Sequence, residues 1–348
     1  MNVKNSRIFL LVLFVCVLPY GAYSQNRQQL QGHVPRSISS AHLAGRGRKN
    51  GADTLRLAIG LPLRDTDGLT NLLHDLYDPH SSNYHKWLTP PEFAEKFGPT
   101  KADFETLKNW AKMQGLRITL EHPNRMVLDV EGNVFAVERA LHVKMQTFQH
   151  PKESRIFFAP DTEPSLDLNL PVLHISGLDD FSIPHPYIHA SDKEKGFQEK
   201  WSQPFPLSGS GSGGTYLGND FRAAYVPGTP LTGTGQSVGL LQFDGFTESD
   251  INAYEILAGL PTIPLTVIPI DGGVVAPGSG NIEVCLDIEM VMAMAPGISH
   301  IYVYEAPNPS PWVDMLSRMA NDNLSSQLSC SWGGGGPDPI SEGVFQQM

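Results

Sequence analysis

The sequence predicts two units in series: an α+β unit built on an antiparallel sheet and, beyond a flexible connector, an α/β unit with a parallel sheet. Three observations carry this reading. From residue 53 to 150, short alternating apolar segments lie next to helical ones; from 215 onward, apolar strands alternate with helices of ten or more residues; and between the two lies a stretch rich in Pro, Ser and Gly. A length of 348 residues allows two or three domains, and 41% apolar against 18% charged content argues against wholesale disorder.

In the first unit Leu55, Leu57, Ile59 and Leu61 alternate as in a strand. Asp67 is placed to cap a helix that carries Leu69, Leu72, Leu73 and Leu76 on one face. A second helix is expected over 101–113, stopping at Gly115. Strands over 117–121 and 125–130 flank His122-Pro123-Asn124, and a helix over 134–141 and a strand over 143–148 follow. The order β, α, α, β, β, α, β is, apart from the extra helix, the split βαβ pattern of ferredoxin-like domains, with an antiparallel sheet covered on one face.

The connector contains Pro184, Pro186, Pro204 and Pro206, a charged patch over 192–195, and a Ser/Gly run over 208–214. Such composition is flexible and open to proteolysis. No strand precedes the glycines and no Gly-Lys-Ser/Thr follows them, so they are not a phosphate loop. In the second unit strands are expected over 238–243, 265–270, 300–304 and 326–331. Helices are expected over 247–257, 283–295 and 312–322.

The N-terminus reads as a secretory signal: Lys4 and Arg7 precede an apolar run over 8–18, and Ala22-Tyr23-Ser24 is a small-x-small cleavage site, with cleavage after Ser24. The run is well short of the roughly 20 residues of a membrane span. Cleavage removes Cys16 and leaves Cys285 and Cys330, so one disulfide is conceivable and a framework is not. Residues 215–348 hold 14 acidic side chains against Arg222 and Arg318 alone. That excess argues against nucleic acid as a partner, which needs clustered Lys and Arg, and it suits work in acid, where carboxylates take up protons. Of the twelve histidines, the pair with His-x-x-x-His spacing, His185 and His189, falls in the Pro-containing connector rather than on an expected helix, which counts against a metal hydrolase.

Glu283 and Asp287 are four residues apart and share a helix face. Two carboxylates so placed can divide the tasks of accepting a proton from a nucleophile and orienting the acceptor, at a pH where histidine is already protonated. The same spacing also occurs on plain solvated helices, where acids near the N-terminus are favoured by the dipole. Glu289 falls round the helix from both and reads as surface.

The run Glu283-Val-Cys-Leu-Asp287-Ile-Glu289 leading to Ala295-Pro296 resembles the catalytic helix of the sedolisin (kumamolisin-like) family of serine-carboxyl peptidases. Ser329-Cys-Ser331-Trp332-Gly333-Gly334 resembles that family's Ser-x-Ser-Trp-Gly strand. The stretch from Pro79 through Tyr84, Thr89 and Pro90 to Phe93, with Trp110, Gly115 and Gly132-Asn133, resembles the pro-kumamolisin activation domain. Tyr225 and Thr232-Gly-Thr-Gly-Gln236 are similar to the start of the mature enzyme.

The resemblance implies a ferredoxin-like α+β prodomain followed by an incomplete subtilisin-like α/β domain with a parallel sheet. It implies Glu283 as general base to a serine, Asp287 as its proton-sharing partner, and Ser331, Trp332 and Gly333 as the strand that binds substrate backbone. The family's oxyanion-hole Asp, its serine nucleophile and its calcium ligands are not found in this chain, which is therefore expected to end before the nucleophile and to be inactive by itself. Ser329 and Ser331 lack the strand-to-helix turn that exposes an activated serine. Asp244, after a buried strand, reads as structural.

The expected organisation is a signal peptide over 1–24, a polar leader over 25–52, a prodomain over 53–186, a processing linker over 187–214 and the N-terminal part of a peptidase domain over 215–348. The expected function is a secreted acid endopeptidase precursor acting on proteins or peptides, held by its own prodomain, with no membrane partner. The competing reading is a non-catalytic secreted inhibitor or peptide-binding module made from the same parts. A fragment of that kind would leave apolar sheet surface exposed.

Overall fold

The computed structural model describes residues 27–40, 43–186, 209–334 and 339–347. The signal sequence and most of the linker, expected over 1–24 and 187–214, lie outside these residues.

The first unit runs β1 (Gln28–Gln29), α1 (Arg36–Ser40), β2 (Gly45–Arg48), β3 (Thr54–Gly60), α2 (Thr66–Tyr77), α3 (Pro90–Lys96), α4 (Lys101–Met113), β4 (Arg117–Glu121), β5 (Val127–Asn133), α5 (Val134–Leu141), β6 (Met145–Gln149), β7 (Ile156–Pro160), β8 (Ser165–Leu166), β9 (His174–Ser176) and β10 (His185–Pro186). The cap of α2 is Asp65, whose side chain accepts the Gly68 N–H at 2.9 Å, and Asp67 sits inside the first turn. The expected cap was displaced because the helix begins two residues earlier than a cap at Asp67 implies, at Thr66. Helix α4 ends where expected, at Gly115 with φ of 79°, a left-handed conformation that glycine adopts at little cost.

The main sheet of this unit is antiparallel, in the order β4-β5-β3-β9. Its fourth strand is β9. The segment expected to complete it, β6, instead joins β2 and β7 in a separate three-stranded sheet. The residues expected to be a polar leader thus contribute β1 and β2, which pair with β8 and β6. One face of the main sheet carries Leu55, Leu57, Ile59, Leu128 and Val130 against Phe104, Leu107, Trp110 and Val137 of α4 and α5. The other face was expected to be open. There, Ala58 and Val127 join one apolar cluster with Phe93, Phe97, Met315, Leu316 and Val344, so the second unit covers it.

The second unit runs α6 (Asn219–Tyr225), β11 (Ser237–Gln242), α7 (Glu248–Ala258), β12 (Leu265–Pro269), α8 (Asn281–Met294), β13 (His300–Glu305), α9 (Trp312–Asp322), β14 (Gln327–Cys330), β15 (Trp332–Gly333) and α10 (Pro339–Gln347). Its sheet, β12-β13-β11-β14, is wholly parallel, as the alternation of strands and helices predicts. Apolar residues of α8 and α9, among them Val284, Ile288, Met292, Val313 and Met319, bury the sheet's central strands. The expectation of a buried fourth strand fails at β14, which forms the edge of this sheet and is exposed along all four residues. Among the described residues Cys285 and Cys330 are both free. Also among them, no helix is long and apolar enough to cross a membrane.

Candidate functional site

The parallel topology brings the C-terminal ends of β11, β13 and β14 to the same edge as the start of α8, where ligand crevices form in open α/β sheets. Glu283 lies in the first turn of α8 and is buried; Asp287, one turn on, is partly buried. Two side chains fix the Asp287 carboxylate. Ser331 Oγ donates to Oδ1 at 2.6 Å and Gln242 Nε2 donates to Oδ2 at 2.7 Å. Gln242 Oε1 in turn accepts the Trp332 indole N–H at 2.7 Å. Gln242 is fully buried, so its amide is committed at both ends and its flip state is set by its partners. Both Asp287 and Glu283 act on the Cys330 thiol, which packs inward although the residue as a whole is exposed, and which is pushed up to about 11, first by loss of water around the sulfur and then by these two charges. One side chain at the end of β14 thus feels both acids.

The approach to α8 is held by Asp244. Its Oδ1 accepts N–H groups from Gly245 at 2.8 Å and Gly278 at 2.7 Å, and its Oδ2 accepts from Gly280 at 2.7 Å. These bonds fix the glycine turn that delivers Glu283, in keeping with a structural role. Gly280 has no room for a side chain, since a Cβ there would lie 2.6 Å from the Trp332 ring.

Trp332 is buried, packed edge-on against Phe243, and borders a cleft of about 520 Å³ lined by Asp244, Ser279, Pro307 and Asn308. The strand Trp332–Gly333 is already paired. It bonds antiparallel to β10, with His185 opposite Gly333 and Pro186 opposite Trp332. Asn308 Nδ2 adds a bond to Pro184 O at 2.7 Å. The tail of the first unit therefore lies along the strand that sequence reasoning assigned to substrate. A larger cavity, about 850 Å³, lies by His33, His174 and Trp312 and holds none of these acids.

The structure brings Glu283, Asp287, Ser331, Trp332 and Gly333 to one place. Sequence reasoning missed Gln242, whose only signal was a polar residue in the apolar run Leu240-Leu241-Gln242-Phe243. It also misplaced Glu289, which is half-buried against α7, its carboxyl pushed up to about 7 by burial and then by Asp250. Glu305, buried at the end of β13, is likewise raised to about 7 by burial and by Asp244. As for calcium, the three-ligand group that converges among the described residues, His122, Asp129 and Asp314, includes an imidazole and does not fit an ion that takes oxygen ligands.

Residues 41–181 match the family model described as Pro-kumamolisin, activation domain. The chain is 26% identical over 320 residues to Kumamolisin of Bacillus sp. (strain MN-32), covering 89% of this chain and 56% of that protein. It is 24% identical over 318 residues to Xanthomonalisin of Xanthomonas sp. (strain T-22), covering 84% and 38%, and 21% identical over 305 residues to Sedolisin of Pseudomonas sp. (strain 101), covering 84% and 50%. Over 84–89% of its length this chain is similar to peptidases of the sedolisin family. It spans about half the length of the curated relatives it matches.

Proposed function

We propose that the chain is part of a serine-carboxyl endopeptidase precursor that works in acid, with a ferredoxin-like prodomain ahead of a subtilisin-like domain. The observation that carries this is the Asp287 carboxylate, gripped by Ser331 and Gln242 one helical turn from buried Glu283. In this reading Glu283 takes the proton from a serine hydroxyl as that oxygen attacks a peptide carbonyl. Asp287 orients Glu283 and shares the proton. A carboxylate base remains usable at a pH where histidine is fully protonated.

Trp332 and Gly333 offer backbone hydrogen bonds to an extended substrate in the manner of strand addition. In the precursor, residues 185–186 take that place, so the first unit blocks the cleft it precedes. Processing between 187 and 214, with a mature start near Gly214 or Thr215, would free it. Ser331 is read as an anchor for Asp287, since it continues a strand and lies on no strand-to-helix turn. By itself this chain is proposed to be inactive, because it supplies the base and its partner without the family's nucleophile motif. Export through the signal sequence over 1–24 and a calcium ion in the complete enzyme belong to the same proposal.

The test is peptidase activity on a denatured protein at about pH 4. It compares the 348-residue chain with a version extended by the coding sequence downstream of the Met348 codon. Activity is expected from the extended protein only, and Glu283→Gln or Asp287→Asn should each lower its kcat by about a hundredfold or more. Full activity in either variant would remove the assignment.

A further inference from the structure

We propose that His122, Asp129 and Asp314 form a site for a divalent cation of the zinc class, which ties the first unit to the second. His122 follows β4, Asp129 lies on β5, and Asp314 is in the first turn of α9, in the other unit. Strand β5 packs directly on α9. The register explains why Asp129 points this way: it pairs with Ala58, and both belong to the sheet face covered by the second unit.

Three features make this more than an acidic cluster. The three side chains offer ligand atoms that all lie within 4.8 Å of one another, and all three residues are no more than 3% exposed. His122 Nε2 is 2.9 Å from Asp129 Oδ2. Ligands about 2.0–2.1 Å from a tetrahedral zinc stand about 3.3 Å apart, so this pair needs to open by only a few tenths of an ångström to share an ion. Finally, Asp129 Oδ1 is buried and accepts no hydrogen bond. A carboxylate oxygen in that position is costly unless something positive meets it.

Two carboxyl groups and an imidazole are packed here away from water. A divalent ion would meet Asp129 Oδ1, which the contact between His122 and Asp129 leaves without a partner. The donor set, one imidazole nitrogen and two carboxylate oxygens, matches zinc or manganese better than calcium. An ion held by two ligands from the first unit and one from the second acts as a cross-link. Such a cation site is independent of the peptidase reading, since it concerns only how the two units are fastened.

The experiment strips the full chain with a chelator and titrates it with Zn²⁺, and separately with Ca²⁺, at pH 7 by calorimetry, with bound metal counted by mass spectrometry. One zinc per chain is expected, with calcium far weaker. Asp314→Asn and His122→Gln should each weaken zinc by about tenfold or more. Chelation should lower the Tm of the wild-type chain and leave that of the variants unchanged. If the variants do not fold, substitution of Co²⁺ into the wild-type chain decides, since an imidazole-carboxylate site gives a visible absorption band at one equivalent. Absence of stoichiometric zinc or of that band, or zinc held equally well by both variants, would overturn the proposal.

Discussion

Gln242 Nε2 donates to Asp287 Oδ2 at 2.7 Å from a position with no exposure to solvent, and its other end accepts the Trp332 indole. One amide thus links the acid on α8 to the strand that borders the cleft. Gln242→Leu leaves two polar groups without partners, each costing about 1–3 kcal/mol, so it should unfold at a clearly lower denaturant concentration. Gln242→Glu should behave differently at the two ends of the pH range. Beside Asp287 a second carboxyl must hold a proton to keep the bond, so this variant should approach wild-type stability at about pH 4 and lose it at about pH 7. Equal losses at both would show that the introduced carboxyl does not depend on its proton to keep the contact with Asp287.

Ser331→Ala removes the 2.6 Å bond to Asp287 Oδ1. Its loss leaves a part-buried carboxyl oxygen with one donor fewer, so the variant should be less stable by about 1–3 kcal/mol, read as a lower denaturant midpoint. An unchanged midpoint would mean that the hydroxyl bonds elsewhere in solution.

Gly280→Ala should destabilise the chain by about 1–3 kcal/mol, through overpacking rather than backbone strain. Its φ is −82°, which any residue adopts, but the added Cβ would lie 2.6 Å from Trp332 and 3.0 Å from Asp244 Oδ2. Trp332→Leu, which shortens the obstructing side chain, should relieve part of that loss when combined with Gly280→Ala. Strict additivity in a double-mutant cycle would sink the steric explanation.

Stability should be greater in mild acid than at neutral pH for the second unit. Glu289 and Glu305 have carboxyls raised to about 7, in both cases mainly by burial. The folded chain therefore holds these protons more tightly than the unfolded chain. The resulting stabilisation is complete below about pH 4.5 and is lost as pH rises through 7. His33 in the first unit has the opposite sign. Burial, then His174, lowers it to about 3, so its contribution is present above about pH 6.5 and is lost as pH falls toward 3. Calorimetric scans from pH 3 to pH 8 should show Glu305→Gln flattening the neutral-side decline. A decline as steep as in the wild type would place its cause elsewhere.

Asn308→Ala removes the side-chain bond to Pro184 O and should loosen residues 184–186 from Trp332–Gly333. Limited proteolysis should cut the variant near this segment about tenfold faster, without a matching fall in global stability. Unchanged cleavage would mean that β10 is held by its pairing to β15 alone.

Periodicity and chemistry made much of this molecule readable in one dimension. The order of strands and helices after residue 215 follows from apolar runs too short for helices alternating with stretches long enough to be helices, and a parallel sheet is the compact way to connect them. Glu283 and Asp287 could be paired because a helix repeats every 3.6 residues, and the strand around Trp332 could be recognised from its local motif. What the chain order could not convey is which segments meet after folding. That β9 rather than β6 completes the first sheet, that the second unit closes that sheet's other face, and that Gln242 reaches Asp287 are outcomes of packing between distant residues. The same holds for His122, Asp129 and Asp314, each an ordinary polar residue in its own neighbourhood. Local interactions set the period of each element, whereas burial is a property of the assembled surface, and only the tertiary structure decides which polar groups lose water together.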